Sequence, residues 1–341
     1  MFEAVAMPWL DRVWERIRQS SENNRLPHAM LVIGEHGAGK RLFADQLAAL
    51  LVCEHPDVSR CKPCGHCKQC ELTSATTHPD IRFYAPEKSR VIKVAQIRAL
   101  STFAVASPQV AARKIAIIDR ADQLNINAAN ALLKTLEEPA ADMILILLQE
   151  GGRPVLPTIR SRCQMVAVPT PSRQQGLEWL GAQLERLQLE TPPTGDQCDR
   201  ALRLAAYAPR LALDYLTGDF MELRSQALEQ FRQFMKGQVS VGEAAGAFKA
   251  LGLEASLWLF EGWAADLARL GVGGSARDQE ASDMLGYLAG CNPSWRAHEL
   301  IDLVHESRSA AVYNVNPELE VSRLLIAWQK LMPVKRSVPG H

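Results

Sequence analysis

The chain carries no net charge, with 38 Lys and Arg against 38 Asp and Glu in 341 residues. That excludes a polycation built to coat nucleic acid and leaves any such contact to a local surface. There is no long hydrophobic run. Apolar stretches such as Met143–Leu148 fall far short of the roughly 20 residues that cross a bilayer. The N-terminal segment is amphipathic, with acidic Glu3 near its start, and it lacks the apolar core and small-residue cleavage site of a secretory leader. No internal repeat or low-complexity tract is visible. With 47% hydrophobic and 22% charged residues, the composition excludes a disordered, collagen-like or coiled-coil chain. The expectation is a cytoplasmic globular protein without a membrane partner, long enough for about two or three domains.

Cysteines are few and unevenly placed. Five of the eight fall between Cys53 and Cys70, and Cys163, Cys198 and Cys291 are scattered. Clustering of this kind in a long chain reads as metal binding rather than as a disulfide scaffold. Cys64, Cys67 and Cys70 supply three thiolates at the spacing that presents sulfurs to one ion, and Cys53 or Cys61 supplies the fourth. A closed tetrahedral zinc site is expected to be structural. His55 and His66 are alternative ligands.

Ala29–Ile33 is a short apolar strand. After it comes Gly34-Glu-His-Gly37-Ala-Gly39-Lys40, then a segment of helical period from Arg41. Strand, glycine loop and helix is the order of a phosphate-binding loop, in which backbone N–H groups and a lysine cradle phosphates. The position after Lys40 should be Ser or Thr to hold Mg²⁺. Arg41 brings a positive charge there instead. Ile115–Asp119 reads as a buried strand ending in a metal-binding carboxylate, the Walker B arrangement. The next position, where a Glu would orient the attacking water, is Arg120. Both substitutions point to a nucleotide fold that has lost its metal and base functions.

Further strands are expected at Asp80–Tyr84, Lys114–Ile118 and Met143–Leu148, with helices at Lys93–Phe103 and Asn125–Glu137. Apolar strands alternating with helices indicate a parallel sheet covered on both faces. Leu31, Ile33, Ile117 and Ile146 are candidate core residues. Val168–Ser172 is a Pro-rich hinge. Beyond it come one helix at Arg173–Leu189, a short pair at Asp196–Ala208 and Pro209–Leu216, and about five amphipathic helices from Phe220. The expected domains are an α/β domain over 1–169 with a zinc module at 53–70, a small helical domain over 170–217, an all-α domain over 218–335 and a tail over 336–341.

These features occur in one order with His78-Pro79-Asp80, with Asn130-Ala-Leu-Leu-Lys134-Thr-Leu-Glu137-Glu138-Pro139 and with Ser161-Arg162-Cys163. The ensemble resembles the clamp-loader subunits of bacterial DNA polymerase III, which are AAA+ proteins, most specifically over residues 25–170. Pro8-Trp9-Leu10, Arg41, Arg120 and the length of the chain are similar to the non-hydrolysing member of that family. The resemblance implies a RecA-like P-loop domain, a helical lid and a helical collar. It implies partners in the gamma/tau ATPase subunits and the delta subunit, with the sliding clamp and primed DNA met through the complex. The chain would be part of a DNA polymerase holoenzyme without being an ATPase or polymerase itself.

By the same resemblance Arg162 is an arginine finger acting in trans on a neighbour's ATP site. The zinc ligands are Cys53, Cys64, Cys67 and Cys70, with Cys61 an extra thiol. Arg210 matches the sensor 2 arginine, so that Gly34, Gly37, Gly39, Lys40, Arg41, Asp119 and Arg210 outline a degenerate nucleotide site. Gln149 and Glu150 fall in the sensor 1 region, where ATP-competent members carry Thr or Asn. The competing expectations are an ATP-binding or ATP-hydrolysing gamma/tau-like subunit and a zinc-dependent nucleic-acid reader using Arg60, Lys62 and Lys68.

Overall fold

The computed structural model describes residues 7–23, 25–87, 91–310 and 315–333; the tail expected at 336–341 lies outside them. The chain divides into two compact units, Met1–Pro192 with Tyr207–Leu211, and Pro193–Ala206 with Ala212–His341.

The first unit is built on five parallel strands, β1 (Ala29–Gly34), β2 (Ile81–Tyr84), β3 (Lys114–Ile118), β4 (Met143–Glu150) and β5 (Gln164–Ala167), in the order β2-β3-β4-β1-β5. This is the α/β architecture expected from the alternating apolar runs. Every residue of β3 and β4 is buried, as strands covered on both faces must be. Helices α4 (Val94–Val105) and α5 (Ile126–Glu137) pack on one face, where Leu100, Leu132 and Leu136 join Ala116, Leu145 and Leu147. Helix α2 (Lys40–Val52) lies against β1, β3 and β4 and buries Phe43 and Leu47. Leu31, Ile117 and Ile146 are buried, whereas Ile33 is half-buried at the end of its strand.

Around this frame lie α1 (Asp11–Glu22), α3 (Lys68–Ser74) in the cysteine-rich insertion, the single turn α6 (Pro157–Arg160), and α7 (Arg173–Leu187). Side-chain caps set the helix starts. Asn125 accepts from the Ala128 N–H, and Ser172 forms a capping box with Gln175, satisfying N–H groups that the first turn leaves unpaired.

The second unit is helical: α8 (Gly195–Leu204), α9 (Pro209–Thr217, whose first residues belong to the first unit), α10 (Phe220–Met235), α11 (Val241–Lys249), α12 (Gly252–Gly271), α13 (Ser282–Cys291), α14 (Trp295–Ala310) and α15 (Pro317–Leu331). Six helices therefore follow Phe220 among the described residues, against five expected. Its core is aromatic. Phe231 stacks on Trp263 at 4.9 Å and meets Trp328 edge-on at 5.2 Å. A fully buried Arg224 is neutralised by Asp278 and Glu280, and the Trp263 indole N–H donates to Asp278 at 2.9 Å.

Candidate nucleotide-loop, cysteine and arginine sites

The loop between β1 and α2 lies at the carboxyl edge of the sheet, where open α/β folds place their ligands. Gly37 and Gly39 have φ of +73° and +99°, which only glycine adopts without strain. The loop is covered by its own chain. A Cβ at Gly39 would lie 2.8 Å from Met7 Sδ, and one at Gly37 would lie 2.5 Å from Leu211 Cβ. The Trp9 indole donates to the Ala38 carbonyl at 3.1 Å, and the Arg210 backbone N–H donates to the Gly37 carbonyl at 3.2 Å.

Lys40 is buried with its ammonium turned inward. It donates to the carbonyls of Gly34 at 2.8 Å and Glu35 at 2.7 Å, and to Glu150 Oε2 at 3.2 Å. An ammonium has three protons, so these acceptors use all of them. Glu150 reaches Lys40 because β1 and β4 are parallel neighbours with Gly34 paired to Glu150. The other Glu150 oxygen lies 3.2 Å from His36 Nδ1. Burial works against ionisation of Glu150, but the His36 hydrogen bond and the charges of Lys40, His36 and Arg120 outweigh it and hold the carboxyl at about 2. Glu150 is thus an anion at neutral pH, set beside the lysine of the loop.

Arg41 follows Lys40, where the sequence pattern expects a hydroxyl. Its Nε donates to both Asp45 oxygens at 2.9 Å, its Nη1 lies 3.9 Å from Asp119 Oδ2, and its guanidinium sits 3.5 Å from the centre of the Phe83 ring. Burial pushes the Asp45 carboxyl up against the pull of Arg41. Arg120 adopts a left-handed backbone, φ +58°, and its Nε lies 3.5 Å from Asp122. Asp122 also accepts the Glu150 N–H at 3.2 Å. Arg41 and Arg120, the residues expected in place of a metal-binding hydroxyl and a base, are each engaged with a carboxylate of the same chain.

In the insertion, the thiol sulfurs of Cys53, Cys64, Cys67 and Cys70 all lie within 4.8 Å of one another. Individual separations are 3.6 Å for Cys53–Cys70 and 3.9 Å for both Cys53–Cys67 and Cys64–Cys70. A tetrahedral zinc site with 2.3 Å bonds has sulfur–sulfur edges of about 3.8 Å, while a disulfide needs about 2.05 Å. The group could therefore hold a metal ion. The Cys64 N–H donates to Cys53 Sγ at 3.3 Å, a contact that suits a thiolate ligand. Cys61 is turned away, with its thiol on the Trp14 carbonyl at 3.6 Å. The His66 ring is exposed and lies 2.9 Å from the Cys64 carbonyl. Gln69 ties the insertion to the segments that lead into β2 and β3. Its Oε1 lies 2.9 Å from His78 Nε2, and its Nε2 donates to the Val110 carbonyl at 2.9 Å. Asp80 accepts the N–H groups of Gln109, Val110 and Ala111 at 2.7, 2.8 and 2.8 Å. A cavity of about 270 Å³ beside the insertion is lined by Ile17, Leu50, Cys53, Cys61 and Val110 among others, and no residue of the glycine loop lines it.

Arg162 lies just beyond α6 and is exposed. Its guanidinium contacts the Thr158 carbonyl at 2.9 Å, the Ser161 hydroxyl at 3.4 Å and Glu137 at 2.5 Å.

The nucleotide-loop residues inferred from sequence are thus brought together, as are the four cysteines. The sequence reading left unnoticed Met7 and Leu211 as covers, His36 and Asp45 as partners, and Asp122. Glu150 was singled out by position, but its pairing with Lys40 depends on strand register.

Residues 9–172 match the family model described as DNA polymerase III, delta subunit. The chain is 31% identical to DNA polymerase III subunit delta' of Pseudomonas aeruginosa over 95% of this chain and 97% of the relative. It is 32% identical to the Haemophilus influenzae subunit of the same name over 67% of each. Among solved structures, a DNA polymerase III gamma subunit-related protein of Thermotoga maritima aligns at 19% identity over 94% of this chain and 99% of that one, with a TM-score of 0.46.

Proposed function

This chain belongs to the DNA polymerase III delta' subunit family, and on that premise we propose that it is a clamp-loader subunit acting as a non-hydrolysing stator. In this reading it joins gamma/tau ATPase subunits and the delta subunit, and it serves the loading of a sliding clamp onto primed DNA in the cytoplasm. Its own nucleotide site, formed from Gly34, Gly37, Gly39, Lys40, Arg41, Asp119 and Arg210, is retired. The observation that carries this reading is the state of Lys40, whose three protons are all held by groups of the same chain, one of them an ionised carboxylate. Arg41 close to Asp119 supports it, because a guanidinium there opposes a divalent cation.

The contribution to chemistry is made in trans. Arg162 is exposed beyond the sheet and acts as the finger toward a neighbour's triphosphate. A guanidinium delivered to the γ-phosphoryl stabilises charge in the transition state, an effect of about 10³–10⁵ in rate in well-studied phosphoryl-transfer systems. Cys53, Cys64, Cys67 and Cys70 hold a structural zinc, which when bound closes the 53–70 segment. The segments 1–169, 170–217 and 218–335 serve as P-loop domain, lid and collar.

The test is Arg162→Ala in a loader reconstituted with its partner subunits. Loss of DNA- and clamp-stimulated ATPase with an unchanged melting temperature of the isolated variant is expected. Unchanged ATPase and loading rates would overturn the finger role. The gamma/tau-like reading, with Lys40 on phosphates and Asp119 on metal, requires magnesium-dependent hydrolysis by the isolated chain that Lys40→Ala abolishes.

A further inference from the structure

The exposed arginine has an acidic partner with no evident structural purpose. Glu137 is the last residue of α5, and Glu138 and Pro139 follow it. Two acids at the carboxyl end of a helix oppose its dipole, since that end favours cations. Glu137 therefore gains nothing from the dipole of the helix that carries it. Its carboxylate is nonetheless placed 2.5 Å from Arg162 Nη2, and the two side chains retain 48% and 36% exposure.

The placement is fixed from beneath. Leu136, next to Glu137, and Ile159, three residues before Arg162, are 2% and 1% exposed and share one core cluster. The backbone holds the finger's base as well, because the Arg162 N–H donates to the Ile159 carbonyl at 3.0 Å. Two elements that share a core thus deliver a carboxylate and a guanidinium to the same point at the surface. An ion pair this exposed contributes little to folding. Together with the Thr158 carbonyl at 2.9 Å, it sets where the guanidinium rests and how much of its charge faces outward.

We propose that Glu137 is the resting partner of Arg162, a positioning residue that restrains the finger until a neighbour's triphosphate displaces the carboxylate. The proposal rests on the reading of Arg162 as a finger. A single carboxylate competes weakly with a polyphosphate bearing several negative charges, so the exchange proceeds once a loaded neighbour is in place. Before that, the carboxylate keeps the guanidinium from idle engagement. Glu137 acts on the neighbour's reaction only through Arg162.

The test uses the reconstituted loader and compares Glu137→Gln, Glu137→Asp, Arg162→Ala and the Glu137→Gln/Arg162→Ala double variant. The readout is ATPase without DNA or clamp. Glu137→Gln is expected to raise this unstimulated rate by roughly two- to five-fold, the factor an exposed ion pair carries. Glu137→Asp should stay near the parent rate. In the Arg162→Ala background the Glu137→Gln effect should vanish, which a merely structural role would not produce. An unstimulated rate that is unchanged or lower in Glu137→Gln, or a rise that persists without Arg162, would overturn the resting-partner role while leaving the finger intact. An Arg162→Ala loader with undiminished stimulated ATPase would overturn the finger reading and this role with it.

Discussion

Arg41 sits over Phe83, its guanidinium carbon 3.5 Å from the ring centre, and it extends one nitrogen to within 3.9 Å of Asp119. An aromatic on β2 thereby stations a cation beside the carboxylate that follows β3. Replacing Arg41 by Thr restores the hydroxyl that a metal would use but leaves Lys40 paired and Arg120 in place. The expected result is that Arg41→Thr alone shows no magnesium-dependent ATP turnover, measured as steady-state phosphate release by the isolated chain. Turnover by this single variant would show that the remaining features do not inactivate the loop.

The Lys40–Glu150 pair makes stability depend on acid. Glu150 has its carboxyl lowered from 4.5 to about 2 by His36 and Lys40 acting against burial. A depressed carboxylate contributes stability that is present above the unfolded value and is lost as pH falls through the folded one. The contribution here is about 3 kcal/mol at neutral pH, and it disappears between roughly pH 4.5 and pH 2. Glu150→Gln should reduce the unfolding free energy at pH 7 by a similar order and flatten the stability profile in that acid window. Denaturant titrations at several pH values measure both effects.

The four clustered thiols predict one metal ion per chain. Cys67→Ser should abolish its retention and open the 53–70 segment to proteolysis, because metal binding and local folding are linked. Cys61→Ser should retain the metal, since that thiol faces the Trp14 carbonyl. Metal analysis with limited proteolysis distinguishes the variants, and loss of metal in Cys61→Ser would reassign the ligands.

Asp80 is buried and accepts three successive backbone N–H groups from the 109–111 loop. Asp80→Ala strands those donors and should cost about 3 kcal/mol, given the penalty for unsatisfied buried groups. A shift of the denaturation midpoint measures it. A change below about 0.5 kcal/mol would mean that water replaces the carboxylate without loss.

Apolar continuity made most of the sheet legible. The β1, β3 and β4 runs are buried on both faces and stand out in the sequence for that reason. β5 went unread because it is an edge strand with polar Gln164 and half-exposed Met165, which leaves no hydrophobic run to see. The last helices were undercounted because the break before Pro317, capped by Asn316, interrupts a long helical pattern without a glycine. The cysteine set was readable from spacing, but the exclusion of Cys61 required its actual direction. The identity of Lys40's partner was not readable, since residues 110 apart meet only through the register of two parallel strands. The resting contact of Glu137 with Arg162 was hidden for a similar reason: it depends on how α5 and α6 share a core.

Met7 and Leu211 fill the space that a Cβ at Gly39 or Gly37 would enter, and they come from opposite ends of that unit's sequence. Such closure acts as a ratchet. Correcting any one polar defect in the loop still meets a wall of side chains, and removing the wall still meets a satisfied lysine. A working pocket would thus need changes at the lysine's partners, at Arg41 and at the covering side chains together.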